Sequence, residues 1–153
     1  MGARAVLTVP NPVLREVCAS VESFDQRLSD LTSDMLATMY EAKGRGLAAP
    51  QIGVTDRVFV MDCMWKEGEP TPMVFVNPEI LSQSEETSTY EEGCLSIPGQ
   101  TTFVRRPAQV TVRWQTLEGD VREDQFDGFA ATCIQHELDH LNGILCTDYE
   151  GQA

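Results

Sequence analysis

The sequence has few positive charges and no long apolar run. Its 153 residues carry 11 Lys+Arg against 24 Asp+Glu, which gives a formal net charge of −13 at pH 7. Proteins that bind nucleic acid by neutralising phosphates need a basic face, so the composition argues against direct nucleic-acid binding. No stretch approaches the ~20 apolar residues that cross a bilayer, and the N-terminus lacks a signal-peptide core. We therefore expect no membrane partner.

The five cysteines form no CxxC pair, and their number is odd. Secreted disulfide frameworks have even numbers of cysteines at short spacings, so we expect a protein of the reducing cytoplasm. Three cysteines lie in apolar runs and are interpreted as buried small hydrophobes, as is a fourth near the C-terminus; they are Cys18, Cys63, Cys133 and Cys146. Cys94 differs because it lies in the polar segment EEGCLS.

Hydrophobic periodicity predicts helices at the two ends of the chain and strands between them. Apolar residues at spacings of three and four predict an amphipathic helix over 25–43, and a second helix is predicted over 129–141. The small-residue segment 44–53 is interpreted as a loop. Strands are predicted over residues 57–61, 73–76, 108–116 and 121–126, and the segment 87–96 is predicted to begin as a strand. This order predicts an α+β fold in a single domain over 1–153.

Both histidines of the chain lie in one pentapeptide, HELDH, over 136–140. On a helix, positions i and i+4 share a face, so His136 and His140 can converge on one metal ion while Glu137 reaches a water molecule. The plain alternative is an exposed helix whose histidines are four apart by chance. The helix is apolar well beyond one stripe, and buried polar groups need partners or a metal, which favours the metal site.

A catalytic site of this type needs a third protein ligand and an open position for water. Few residues follow His140, and their only carboxylates are Asp148 and Glu150. The third ligand is therefore expected upstream, and Cys94 is the best candidate. Gly93 beside it allows close backbone approach, and a thiolate binds zinc or ferrous iron strongly.

Three segments, in chain order, carry a family resemblance that covers nearly the whole chain. Residues 44–51 read GRGLAAPQ, 92–96 read EGCLS and 135–141 read QHELDHL. They resemble the G-apolar-G-apolar-A-A-x-Q, EGCLS and QHExDHL segments of the peptide deformylase family. The resemblance implies antiparallel β-sheets packed around a central α-helix that bears the HExxH motif, with an amphipathic helix near the N-terminus.

The resemblance also implies a role for each matching residue. The positions that match the family's metal ligands are Cys94, His136 and His140. Glu137 matches the general base, while Gln51 and the backbone N–H of Leu95 match the donors to the developing oxyanion. The family implies one divalent metal ion, natively Fe2+, with Zn2+, Ni2+ or Co2+ as alternatives that this ligand set also suits.

The implied activity is metal-dependent hydrolysis of the N-formyl group from N-formylmethionyl peptides, with N-formylated nascent peptides as partners. The products would be formate and a free N-terminus. One alternative keeps the centre but changes the substrate to another formyl or acyl amine, or to a non-Met formyl peptide. Another is an inactive metal-binding homologue, although a structural metal site has no need of a base such as Glu137.

The sequence departs from the family pattern at the pocket that would hold the methionine side chain. Arg45 replaces an aliphatic residue, and Phe129 and Thr132 stand where aliphatic residues are more common. A guanidinium is not buried there without a partner. We expect Arg45 either to point to solvent or to reshape the pocket mouth toward a more polar or acidic side chain.

The sequence stops at Ala153 after a short acidic segment, whereas many family members continue into a C-terminal helix associated with ribosome docking. Ribosome docking is therefore doubtful.

Several polar residues allow two interpretations each. Glu92 and Asp139 could orient a ligand histidine, but we favour a solvated or structural salt bridge. Arg105 and Arg106 are interpreted as a surface pair, and Gly44 as a helix C-cap.

Overall fold

The computed structural model describes residues 2–150. A 3-10 turn, Pro12–Arg15, precedes helix α1, Gln26–Glu41. Asp25 begins this helix by accepting a hydrogen bond from the backbone N–H of Leu28. The predicted apolar stripe is buried, and Gly44 donates its N–H to the carbonyl of Met39 beyond the last turn. The prediction of an amphipathic helix is therefore confirmed.

Seven strands follow, and all of their pairings are antiparallel. They are β1 Gly46–Ala48, β2 Val58–Met61, β3 Met73–Gln83, β4 Thr87–Cys94, β5 Ile97–Pro107, β6 Gln109–Gln115 and β7 Val121–Asp127. Five of them form a sheet in the order β1-β2-β3-β6-β7, and β4 pairs with β5 in a separate two-stranded sheet. Short connections join most sequential strands, which suits antiparallel pairing.

Two strands are absent from the sequence prediction. β1 has only three residues, and its small side chains give no β signal. β5 contains Pro98, Gly99 and Arg106. Beyond Ile97, which is also buried, its buried residues alternate as Thr102, Val104 and Arg106. Because two of these three are polar, the apolar alternation that marks a strand is missing.

The second helix, α2, runs over Gly128–Leu141 and contacts strands of both sheets. Its apolar residues enter a core in which Phe59 stacks on Phe75 and Phe75 packs against Trp114. The expected α+β architecture, with antiparallel sheets around the HExxH helix, is thus confirmed. Among residues 2–150, no helix combines the length and apolar character needed to span a membrane.

The end of α2 is fixed against the first 3-10 turn. Gly143 has a φ of +74°, and a Cβ there would lie 2.5 Å from the carbonyl oxygen of Arg15. Cys18 also donates its N–H to the carbonyl of Leu141. The N-terminal segment therefore locks the last turn of the helix in place.

We expect Gly143→Ala to destabilise the fold by about 3 kcal/mol, because it combines a left-handed backbone with a clash against main chain. Gly128→Ala is the matched control: its φ is +58°, but nothing lies within 4 Å of an added Cβ. It should cost only ~1 kcal/mol. Chemical denaturation measures both values, and equal losses would contradict the proposed close contact.

Candidate metal centre and catalytic cleft

A cleft of about 480 Å³ lies between the residues that precede β1, the β4–β5 hairpin and helix α2. Helix α2 supplies one wall through residues 129–137, and the end of β4 supplies another. The three segments that carry the family resemblance therefore meet at one place, although they lie far apart in the sequence.

Ligand atoms of Cys94, His136 and His140 all lie within 4.8 Å of one another, and Cys94 and His136 line this cleft. The Cys94 Sγ is 3.4 Å from the His140 Nε2. His136 and His140 are buried one helical turn apart, and Cys94 ends β4 at a register shift in the hairpin. The predicted metal ligands are thus brought together by a helix and a strand end.

Glu137 is buried beside this group, and its Oε1 has no hydrogen-bond partner among the described residues. β1 passes very close to it: a Cβ at Gly46 would lie 2.5 Å from the Glu137 Oε2 and 3.0 Å from the Cys133 Sγ. The missing side chain at Gly46 therefore matters for packing. It leaves room for the carboxylate between strand and helix.

Gln51 is 2% exposed and lies in the 3-10 turn Ala49–Ile52, which follows β1. Its Oε1 accepts the N–H of Ala48 at 2.9 Å, and its Nε2 donates to the Ser96 Oγ at 3.0 Å. The same Nε2 is 3.7 Å from the Cys94 Sγ. Both amide ends are thus fixed, and the N–H side faces the group of ligand atoms.

Leu95 follows Cys94 in the turn between β4 and β5 and lines the cleft. Its side chain packs at Gly44, where an added Cβ would lie 2.9 Å from the Leu95 Cδ1. Gly44 is therefore more than a helix C-cap.

A buried charge network lies behind His136. Glu92 accepts two hydrogen bonds from Arg106, at 2.8 and 2.9 Å, and lies 2.9 Å from the His136 Nδ1. Arg106 also donates to Asp139, which accepts the hydroxyl of Tyr149 at 2.8 Å. The guanidinium lies over the Tyr149 ring as well.

This network corrects one interpretation made from the sequence and extends another. Arg106 is 4% exposed, so its assignment to a surface pair was wrong, whereas Arg105 is exposed. Glu92 and Asp139 both form the favoured structural salt bridges, and Glu92 also contacts His136. The position of Arg106, two residues from buried Val104 on a strand, was the available signal for its burial.

The charges of these groups depend on burial and on one another. Burial raises the pKa of Glu137 to about 7, with opposing effects from the charges of its neighbours. Burial would raise the pKa of Glu92, but hydrogen bonds from Arg106 and His136 lower it overall. Burial lowers the pKa of His140, so its imidazole favours the neutral form that binds metal.

Arg45 does not point freely to solvent. Its guanidinium donates to both carboxylate oxygens of Glu67 and to the carbonyl of Cys63, and it lies 5.6 Å from the centre of the Phe129 ring. Arg45, Phe129 and Thr132 all line the cleft, as the sequence predicts. Because Glu67 neutralises it, Arg45 presents little free charge to the pocket.

The donor set fits a divalent metal ion. Among residues 2–150, two groups of side chains are spaced closely enough to hold a metal ion, and they share His136. One consists of the Cys94 thiol with the two imidazoles, and the other adds Glu92 and Cys146 to His136. A carboxylate without a partner lies beside the first group. Three potential protein ligands with a neighbouring carboxylate are typical of a catalytic centre of the metal-dependent hydrolase class rather than of a closed structural site.

Comparisons with known proteins agree with this class. The family model described as polypeptide deformylase matches residues 3–152. The chain is 52% identical to the peptide deformylase of Afipia carboxidovorans, with 97% of this chain and 87% of that one covered. The corresponding values for Rhizobium meliloti are 48%, 97% and 86%. The crystal structure of peptide deformylase from Thermotoga maritima superposes with a TM-score of 0.91 at 40% identity, covering 97% of each chain.

The chain belongs to the peptide deformylase family. Its activity class is that of a metal-dependent hydrolase that acts on formylated peptides, and a different activity is not favoured.

We expect Arg106→Met to destabilise the protein by roughly 3–5 kcal/mol, because it leaves the buried carboxylate of Glu92 and the partly buried carboxylate of Asp139 without this cation. Arg113→Met is the control. Arg113 is about half exposed and its ion pairs are 3.5 and 3.8 Å long, so its loss should change stability by less than ~1 kcal/mol. Thermal or denaturant unfolding of both variants gives the comparison. Similar losses would show that the buried network is not stabilising.

Proposed function

We propose that Cys94, His136 and His140 bind one divalent cation and that this centre removes the formyl group from N-formylmethionyl peptides. The observation that carries the proposal is the convergence of a thiol and two imidazoles beside the unpartnered carboxylate of Glu137. When bound, the cation would act as a Lewis acid and make hydroxide available near neutral pH. Formate and a free N-terminal amine are the products.

We propose Fe2+ as the native ion, with Zn2+, Ni2+ or Co2+ as alternatives. One thiolate and two imidazoles suit both ferrous iron and zinc, so the ligand set supports this group of metals without selecting one. The metal that copurifies under anaerobic conditions decides among them.

Glu137 would act as the general base and then the general acid. Its carboxylate is held between β1 and α2, next to the ligand atoms, where it can take a proton from the attacking water. The same proton can pass to the departing amine when the C–N bond breaks. Burial keeps competing solvent away from the carboxylate.

Gln51 and the backbone N–H of Leu95 would stabilise the oxyanion that develops on the formyl oxygen when the formyl carbon is attacked. The hydrogen bonds to Ala48 and Ser96 hold the Gln51 amide in one orientation before substrate arrives. Such fixed donors are worth ~3 kcal/mol each in related reactions.

Glu92 would orient His136. An N–H on the His136 Nδ1 donating to Glu92 leaves the Nε2 lone pair for the metal, and Arg106 keeps the carboxylate ionised and in place. Glu92 and Arg106 are thus positioning residues rather than catalytic ones.

Other properties are also part of the proposal. We propose that residues 1–153 form one catalytic domain, which the match over 3–152 supports. We propose N-formylated nascent peptides as substrates in the cytoplasm, a setting supported by five cysteines that are all free thiols. Part of the acidic C-terminal segment, Gly151–Ala153, lies outside the described residues.

We expect Glu137→Gln to retain its metal but to release formate from formyl-Met-Ala at least ~100-fold more slowly, because the amide has no basic oxygen. Anaerobic purification with metal analysis and a formate assay measures both properties. Unmodified protein that binds metal yet is as inactive as the variant on every formyl peptide would contradict the proposal.

We expect Gly46→Ala to lower kcat by about 100-fold, because the added Cβ would displace the Glu137 carboxylate. The control is Gly68→Ala, since an added Cβ at Gly68 meets nothing within 4 Å. Steady-state formate release gives the values, and circular dichroism checks the fold. If Gly46→Ala works as well as the control, the close approach of β1 has no catalytic importance.

A further inference from the structure

The sequence contains only two lysines, Lys43 and Lys66, and both line the catalytic cleft. The other basic residues are all arginines, and most of them lie elsewhere on the molecule. In a chain with a net charge of −13, this places two flexible ammonium groups beside the site where a peptide must enter.

The segments that carry the two lysines are tied together. Lys43 follows α1 with a φ of 60°, next to Gly44. The Gly44 carbonyl accepts the indole N–H of Trp65 at 2.9 Å, and Trp65 packs edge-on against Tyr40. The Lys66 ammonium lies 5.6 Å from the centre of the Trp65 ring. Both lysines are thus held at the same side of the cleft.

Neither lysine pairs with a carboxylate among residues 2–150, although acidic groups lie nearby. Glu67 is bound to Arg45, and Glu92 is bound to Arg106. Glu91, which also lines the cleft, accepts the hydroxyl of Thr101. These three acids are therefore engaged, and among residues 2–150 neither ammonium group forms an ion pair with a carboxylate, although that of Lys66 lies near the Trp65 ring.

We propose that Lys43 and Lys66 form a carboxylate-binding subsite for formyl peptides that carry an acidic residue shortly after the formylated one. This inference rests on the proposed function. Lys43 is three residues from Gly46, which contacts the Glu137 carboxylate. Since an extended chain advances ~3.3 Å per residue, a peptide whose formyl group reaches Glu137 would bring its second to fourth residues near the lysines.

The first test compares kcat/KM for formyl-Met-Ala-Asp-amide and formyl-Met-Ala-Asn-amide at low salt, using metal-loaded protein. Two exposed charge contacts predict about a fivefold preference for Asp. The preference should fall toward one in Lys43→Gln/Lys66→Gln and in 0.5 M salt, because salt screens exposed charges. An unchanged ratio in the double variant would overturn the proposal.

The matched control is Arg105→Gln/Arg122→Gln. Both arginines are exposed and do not line the cleft, so this variant has the same net charge as the lysine double variant. The arginine double variant should keep the preference for Asp. Loss of the preference in this variant would show that the overall charge of the protein causes it.

A further comparison uses kcat/KM for formyl-Met-Ala with a free C-terminal carboxylate and for the same peptide as its amide. It shows whether the lysines also recognise a C-terminal carboxylate or only an acidic side chain.

A second readout does not depend on turnover. Amine-labelling reagents can modify only the two lysines and the N-terminus of the chain, and a formyl peptide has no free amine. Formyl-Met-Ala-Asp-amide should protect both lysines in the Glu137→Gln variant more than the Asn peptide does, with the N-terminus as internal reference. Equal labelling with the two peptides would contradict the subsite.

The kinetic assay separates the failure of this inference from the failure of the proposed function. If the unmodified protein releases formate from the Asp and Asn peptides at the same rate, only the subsite is rejected. If it releases no formate from any formyl peptide, the proposed function is rejected.

Discussion

The pairing of Arg106 with two carboxylates is the interaction on which the rest of the site depends. Helix α2 is largely buried yet carries two histidines, a glutamate and an aspartate, and such groups are stable in a core only when they are compensated. Arg106 enters from β5 and compensates Glu92 and Asp139, and Glu92 in turn contacts His136. The two-stranded sheet therefore fixes both the Cys94 thiol at its turn and the orientation of the His136 imidazole on the helix.

On the β1 side of the site, the constraint is the space available rather than the pairing of charges. β1 must approach α2 closely enough that no side chain fits at position 46. This approach brings the 3-10 turn with Gln51 to the ligand atoms, so one short segment determines where the carboxylate and the amide lie relative to each other. The site is thus held by ion pairs on the side of β5 and by close packing on the side of β1.

The sequence allowed much of this arrangement to be predicted, and the exceptions have physical causes. Periodicity identified both helices, and the HELDH spacing identified the helix face on which the two imidazoles lie together, because helical geometry is local. Cys94 was the best upstream candidate for a third ligand, but nothing local links residue 94 to residue 136, and the roles of Gln51 and Leu95 required the family resemblance. The burial of Arg106 and its contact with Glu92 were missed because an inward arginine on a strand resembles an exposed one in sequence. Arg45 was recognised as unusual, but its partner Glu67 comes from a loop whose path the sequence does not reveal.

The proposed metal ligands are divided between α2 and the β4–β5 hairpin, and this division has a consequence for the stability of the protein in a cell. A two-stranded sheet has little stability of its own. A cation held by the hairpin and the helix would staple them together, and any ligand that binds only the native state raises the free energy of unfolding. The supply of the ion in the cell would then affect how long the polypeptide survives as well as how fast it works. Molecules without the ion would unfold locally more often, and proteases cleave such opened molecules.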